Sequence, residues 1–327
     1  MEHRFLGRTG RRVSMIGFGA WQIGADWGQV DHDQAYAALG AALDAGVDFI
    51  DTADVYGDGR SEKIIAEVLA DRAGVRPFVA TKMGRRVEQR AENYTLDNFR
   101  AWTDRSRANL GVDTLDLVQL HCPPSEVIES DRVYDWLDQL VDEQVIVNYG
   151  VSVETVEQAL AAIARPRVAS VQLILNAFRQ KPLEQVLPAA ALAGVGIIAR
   201  VPLASGLLSG KYDETTTFAP DDHRSYNRHG EAFDVGETFA GVDYEVGVQA
   251  AREVAELTPS GATTAQLALR WITMHPAVSV AIPGARTAEQ ARANAGAAGL
   301  PPLSDATMAR IGAIYDERIR PLVHHRW

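Results

Sequence analysis

Asp51, Tyr56, Lys82 and His121 are the residues of this chain whose types and order suit proton transfer to or from an oxygen. The densest pattern is Asp51-Thr52-Ala53-Asp54-Val55-Tyr56-Gly57-Asp58-Gly59-Arg60-Ser61-Glu62, where a strand end leads to a glycine-bracketed tyrosine and then to a helix start. Such a segment presents the phenol on a loop. A tyrosine with an ordinary pKa of about 10 is a poor acid at neutral pH. A neighbouring cation and hydrogen-bond donors stabilise its phenolate and ease proton release, and Lys82 and His121 are suited to that work. Lys82 ends a run as apolar as residues 78–80, where an ammonium group is costly to bury without an acidic partner. Asp51, one strand earlier, can supply that partner. Singly, each residue has a plainer reading: Asp51 as a turn cap, Lys82 as a side chain reaching solvent, His121 as a rim histidine.

The elements around them set these groups at one level. Short β-branched runs recur at residues 13–17, 47–50, 78–81, 115–120, 146–151, 168–173, 196–199 and 278–282. Stretches of helical spacing lie between them, at 32–45, 62–70, 96–110, 133–141 and 155–163. The strands are apolar on both faces, as buried parallel strands must be. Asp31 with Gln34, Thr95 with Asn98 and Thr287 with Gln290 read as helix caps. Polar residues follow the strand ends: Asp51, Lys82, His121, Ser152, Gln172, Arg200 and the turn at 283–286. In a (β/α)8 barrel all those ends meet on one rim, whereas an open sheet scatters them, so the pattern favours a single-domain TIM barrel spanning residues 1–327. The segment 211–245, after the seventh strand, reads as a long loop of the kind that covers an active site.

Composition bounds the partners. The 327 residues are 46% hydrophobic and 23% charged, which is globular usage, and the formal net charge of −11 disfavours nonspecific attraction to nucleic acid or anionic membrane. Cys122 is the only cysteine, so no intramolecular disulfide is expected. Residues 1–10 lack the apolar stretch of a signal peptide. The longest uncharged apolar run, 186–199, is shorter than a membrane span and carries Pro188, Gly194 and Gly196. A cytoplasmic protein is expected, with no nucleic-acid or membrane partner and oligomerisation left open.

The chain resembles the aldo-keto reductases. The likeness is carried by Asp-Thr-Ala-x-x-Tyr-Gly at 51–57, Ala-Thr-Lys at 80–82 and Val118-Gln119-Leu120-His121. It runs from Leu6-Gly7-Arg8-Thr9-Gly10 to Ile282-Pro283-Gly284-Ala285-Arg286. The resemblance implies a catalytic tetrad of Asp51, Tyr56, Lys82 and His121, with Trp21, Tyr56 and His121 facing a small carbonyl or alcohol substrate. It also implies NADPH or NADP, with NADH less favoured, along the rim. Ser152 and Gln172 would hold the carboxamide; Leu203, Ser205 and Gly206 would line the pyrophosphate; Asn294 would meet the adenine. Gly19, Ala20, Trp21, Asp51, Arg200, Val201, Lys211, Ile282, Gly284, Arg286 and Gln290 complete the expected cofactor contacts. The turn before Thr287 opens a helix whose free amides suit a phosphate, and Arg286 beside it would read the 2′-phosphate.

Two departures stand out. Arg200 occupies the place where many members stack a tyrosine on the nicotinamide, and Val153 stands where an asparagine is common. A cofactor-binding regulatory module like the potassium-channel β subunits is the alternative the same resemblance carries. Other motifs fail on spacing. Gly17-Phe18-Gly19-Ala20-Trp21-Gln22 has Gln22 where a dinucleotide fingerprint needs glycine, and Gly206-Leu207-Leu208-Ser209-Gly210-Lys211-Tyr212 is one residue short of a P-loop. No metal site is expected. Trp21, Trp27, Cys122, His223, Arg224 and Tyr226 are expected to shape the pocket.

Overall fold

The computed structural model describes residues 1–24, 30–72 and 74–327. Two strands, β1 (His3–Phe5) and β2 (Arg12–Ser14), form an antiparallel hairpin. Eight parallel strands follow in sequential order: β3 (Phe18–Gly19), β4 (Phe49–Asp51), β5 (Phe78–Met83), β6 (Leu115–His121), β7 (Ile146–Ser152), β8 (Val168–Ile174), β9 (Gly196–Arg200) and β10 (Val278–Ala281). Parallel bridges Ile16 to Ala281 and Gly19 to Gly284 join the first of these to the last. The sheet is thus a (β/α)8 barrel. Its seam needs a bare backbone, because a Cβ on Gly19 would lie 2.7 Å from the Ile282 carbonyl oxygen.

The first barrel strand is a correction. The β-branched run at 13–17 predicts it there, yet Arg12–Ser14 belongs to the hairpin and Phe18–Gly19 to the barrel. The physical reason is a plug. Leu6 and Val13, both fully buried, pack with Phe49, Phe78, Leu117, Ile198 and Val280 into a core inside the barrel, closing its floor. Arg4 secures the hairpin by donating to the carbonyls of Thr273, His275 and Val278 at 2.7, 3.2 and 2.9 Å.

The helices follow the sequence closely. Leu96–Leu110 is helical as read, and the neighbouring helices run His32–Asp44, Arg60–Ala70, Asp131–Asp142 and Val156–Ile163. Asp31, Thr95 and Thr287 each accept the backbone N–H three residues on, the N-cap bond that the sequence pattern requires. Strand register then aligns the rim, setting Lys82 opposite Gln119, His121 opposite Ser152, and Ser152 opposite Gln172.

Segment 211–245 carries only short helical turns, at His223–Tyr226, Val235–Glu237 and Phe239–Gly241, before the helix Tyr244–Ala255. Its glycine-rich, acidic composition suggests little apolar area to hold it down. The fold differs: His223, Phe239 and Ala240 are fully buried, and Asn227 accepts from the backbone of Ala232 and Phe233. Among the described residues no helix is long and apolar enough to cross a membrane.

Candidate active site

Three adjacent strand ends and one loop bring the tetrad together. Asp51 ends β4, Lys82 lies near the end of β5, His121 ends β6, and Tyr56 sits on the loop after β4. That loop is fixed by backbone as much as by side chain. A Cβ on Gly24 would fall 2.7 Å from that of Tyr56, so only glycine lets the phenol's backbone approach.

The Lys82 ammonium is fully engaged. Its Nζ donates to Asp51 Oδ1 in a short contact, to the Thr52 carbonyl at 2.8 Å and to the Tyr56 hydroxyl oxygen at 3.2 Å. An ammonium has three protons, and these partners take all of them. Tyr56 therefore accepts from Lys82, leaving its own O–H free to point elsewhere. Asp51 is balanced on its other side, where Oδ2 accepts from Gln119 at 3.1 Å and from Gln172 at 2.7 Å.

The electrostatics favour a protonated phenol and a neutral imidazole. Burial raises the Tyr56 pKa above the usual tyrosine range, and the opposing pull of Lys82 does not cancel it. Burial also works against the Lys82 charge, but Asp51 and Tyr56 outweigh it and the ammonium holds its proton more tightly than a free lysine. His121 moves the other way. Burial, then the cations Arg85, Lys82 and Arg200, depress its pKa well below the ordinary value. Its ring crosses that of Tyr56 edge-on at 5.9 Å. The arrangement can present one protonated phenol O–H and one neutral imidazole N–H to a single oxygen atom.

A cleft of about 1000 Å³ opens over this group. It is lined by Asp51, Tyr56 and His121, and by most of the residues that the sequence puts at the cofactor: Gly19, Ala20 and Trp21; Gln172; Arg200, Val201, Leu203, Ser205, Gly206 and Lys211; Ile282, Gly284, Arg286, Gln290 and Asn294. Two of the tetrad and cofactor residues fall outside that lining, as do Cys122, His223 and Tyr226 among those expected to shape the pocket. Lys82 lies behind Tyr56, and Ser152 is 1% exposed with its hydroxyl 3.5 Å from the Cys122 sulfur. Trp27 lies outside the described residues. Trp21 stacks near Tyr56 at 6.1 Å and tilts over His223 at 5.0 Å.

Several of these side chains already have work. Gln172 spends its NH2 on Asp51 and on Gln119 Oε1, leaving its amide oxygen for any partner. The Ser205 hydroxyl donates to the Glu237 carbonyl at 2.7 Å and accepts from Phe239 N at 3.1 Å. Gln290 Oε1 accepts from Arg286 N at 2.9 Å, so it braces the turn. Arg200 bonds the Glu237 carboxylate in a short contact and donates to the Val153 carbonyl at 3.0 Å. The sequence gives no sign of Glu237, which lies inside the long loop.

Other groups at the site escape the sequence reading. Gln119, in the middle of β6, supports Asp51 from within the barrel. Arg85, Gln89, Glu154, Phe233 and Asp234 also line the cleft. For Arg85 and Glu154 a signal exists, since each follows a strand end by two residues. Asp54 is fully buried, with neither carboxylate oxygen partnered among the described residues; burial, then Glu62, pushes its pKa up to about 7.

The groove fits an extended dinucleotide. The Gln22 amide packs directly on Gly284 at one edge, where a Cβ would lie 1.8 Å from its Oε1. Gly206 has φ +99, and Ala204 and Ser205 beside it are also left-handed, so the segment turns its backbone sharply at the cleft wall. The helix Ala288–Gly296, capped by Thr287, begins at the same wall and offers free amides to a phosphate, with Arg286 and Lys211 as cations nearby.

Comparison with known proteins gives a consistent result. The family description "Aldo/keto reductase family" matches residues 15–316. The aldo-keto reductase YhdN of Bacillus subtilis (strain 168) is 29% identical over 299 residues, covering 90% of this chain and 87% of its own. A probable voltage-gated potassium channel subunit beta of Oryza sativa subsp. japonica is 30% identical over 315 residues, covering 89% of each chain. The solved glycerol dehydrogenase AKR11B4 from Gluconobacter oxydans superposes with a TM-score of 0.79 at 29% identity, covering 97% of this chain and 95% of its own.

Proposed function

This chain belongs to the aldo/keto reductase family, and we propose that it reduces the carbonyl group of a small aldehyde or ketone to an alcohol with NADPH. When bound, the reduced nicotinamide supplies a hydride. The chain's own residues manage the oxygen. Tyr56 donates its proton to the substrate oxygen as negative charge develops there, and neutral His121 orients that oxygen by a hydrogen bond. Lys82, held by Asp51, stays charged beside the phenol and stabilises the phenolate left behind. Asp51 is in turn fixed by Gln119 and Gln172.

The observation that carries this reading is the exhausted donor set of Lys82. With its protons committed to Asp51, Thr52 and Tyr56, the ammonium is oriented to stabilise an oxyanion on Tyr56 and the phenol proton is left for another acceptor. Gly206, Leu203, Gly284, Arg286, Lys211, Gln290 and Asn294 would hold the dinucleotide, with Gly19, Ala20, Trp21, Val201 and Ile282 along its path. Gln172 would reach the carboxamide by its amide oxygen, Ser152 only after a shift of its surroundings, and the Arg200 guanidinium would lie against the nicotinamide.

The likeness to a channel subunit supports a second reading, a cofactor-binding regulatory module in which turnover is negligible. One experiment separates the two. The purified protein is mixed with a panel of aldehydes and ketones and each reduced cofactor, and the nicotinamide absorbance is followed. Turnover on the order of the usual ~10 s⁻¹ for an enzyme supports the reductase. Tight cofactor binding with a single stoichiometric oxidation and no turnover favours the regulatory module.

A further inference from the structure

Trp327, which follows the helix Arg320–Val323, is buried but does not line the cleft. Its indole Nε1–H donates to Asp234 Oδ2 at 3.3 Å. The Arg179 guanidinium lies over the indole ring at 3.6 Å and is itself buried, with Nη2 donating to the Glu154 carbonyl at 2.7 Å. Burial lowers the Arg179 pKa, and Asp234 leads the carboxylates that oppose the shift. Two glycines of the long loop make room for this stack. A Cβ on Gly241 would lie 2.3 Å from the indole edge, and one on Gly236 would lie 2.2 Å from Arg179 Nη1. The Gly236 N–H donates to Asp234 Oδ1 at 2.8 Å, so both oxygens of that carboxylate are engaged. The neighbour of Asp234 is Phe233, whose ring lines the cleft and meets Trp21 edge to face at 5.9 Å. The Phe233 N–H donates to Asn227 Oδ1, a bond within the loop that cannot anchor it to the barrel. Outside the loop, the polar anchors near Phe233 are Trp327, through Asp234, and Arg200, through Glu237.

We propose that Trp327 is a positioning residue of this site: seated between Arg179 and the two loop glycines, it holds Asp234 and thereby sets Phe233 as the wall against which a ring beside the reacting carbonyl packs. This rests on the reductase reading above. Trp21 stacks near Tyr56 at 6.1 Å, so a ring attached to a carbonyl at Tyr56 comes to lie along Trp21 and Phe233. Loss of the indole leaves a void against Arg179 and releases Asp234. Phe233 is then free to move, while the Arg200 and Glu237 pair still holds the loop to the end of β9. Trp327 acts on the substrate only through that displacement, because its own ring stays behind the wall.

Steady-state kinetics at saturating NADPH with benzaldehyde, whose ring reaches the wall, and acetaldehyde, which is too small to do so, test this. Trp327→Ala should raise KM for benzaldehyde by about 2 to 10-fold, the worth of one aromatic contact, and leave KM for acetaldehyde within about twofold. Trp327→Phe, which keeps a ring over Arg179 and loses the bond to Asp234, should recover part of the loss. Phe233→Ala should reproduce the change, and the double variant should be no worse than Phe233→Ala alone, because one residue acts through the other. Hydrogen exchange in the absence of substrate should quicken at residues 233–238 in Trp327→Ala and stay unchanged in the barrel strands. The proposal is overturned by additive losses in the double variant, by an equal rise in KM for both aldehydes, or by a lower melting point with the KM ratio intact. Unchanged protection at 233–238 overturns it too, as does an unmodified protein that reduces acetaldehyde and not benzaldehyde. Absence of turnover with both aldehydes would fail the reductase reading, and the exchange measurement would then decide by itself whether Trp327 holds the loop.

Discussion

Arg200 and Glu237, thirty-seven residues apart, meet as an ion pair with side chains only 8% and 9% exposed. The pair ties the end of β9 to the long loop over the cleft. Ser205 repeats the connection through the Glu237 carbonyl and Phe239 N, so the loop is fastened at two neighbouring points of one wall.

Glu237→Ala should therefore strand a buried guanidinium, and removing one partner of such a pair costs about 3 to 5 kcal/mol. Urea denaturation should show the midpoint falling, and hydrogen exchange should speed up across 211–245 more than in the barrel strands. A change under about 1 kcal/mol would mean that the loop is held by its apolar contacts alone. The double variant Arg200→Met, Glu237→Leu should recover much of the loss.

Tyr56→Phe removes the proton donor and keeps the ring. The rate should fall by about 10² to 10⁴-fold while cofactor affinity, measured by fluorescence titration, changes less than about threefold. A rate loss below roughly tenfold would return Tyr56 to a packing role.

Asp54 sets a pH dependence of stability. Its folded-state pKa of about 7 lies above the unfolded value of 3.8, so the folded state binds the proton more tightly. The sign follows: stability is greatest below the unfolded value, declines as pH rises from about 4 toward 7, and levels off above that. The span is at most about 4 kcal/mol, from three pKa units at 1.36 each. Asp54→Asn should flatten this slope and stabilise the protein at pH 8 relative to the unmodified chain. Parallel unfolding curves at pH 5.5 and 8 for both proteins would decide it, and an unchanged slope in the variant would assign the effect elsewhere.

Arg286 is the cation at the turn before the helix Ala288–Gly296. Its replacement by alanine should weaken NADPH by about 10 to 100-fold and leave NADH within about threefold, the effect of one charge-assisted contact to a phosphate. Titration of both cofactors against both proteins measures this. Equal affinities in the unmodified protein would show that no 2′-phosphate reader is present.

The alternation of strands and helices was legible because buried parallel strands and amphipathic helices have different periods, and the caps because a short polar side chain must meet the N–H three residues on. The meeting of Asp51, Tyr56, Lys82 and His121 at one rim was legible through their order and setting. The hairpin was not: β2 and the residues that lead into β3 read as one run at 13–17, and nothing local says that Leu6 and Val13 turn inward to fill the barrel. Glu237 was hidden for a related reason, because its partner Arg200 stands 37 residues back at the end of β9 and no short-range pattern links them. The loop's buried Phe239 was masked by the polar residues around it. Arg85 and Glu154 stood two residues beyond strand ends, where the rim argument applies equally well, but no charge pattern distinguished them from solvated side chains.

The hairpin that closes the barrel floor also orders events during synthesis. Arg4 reaches the carbonyl of Val278, 274 residues later, and Ile16 pairs with Ala281. At about 5 to 20 residues per second, the ribosome delivers those partners roughly 15 to 55 s after the hairpin itself emerges. During that interval β3 has no strand on its outer side, and its edge is open to any other nascent chain. Closure waits for nearly the last strand, so the chain is most exposed to aggregation before β10 arrives.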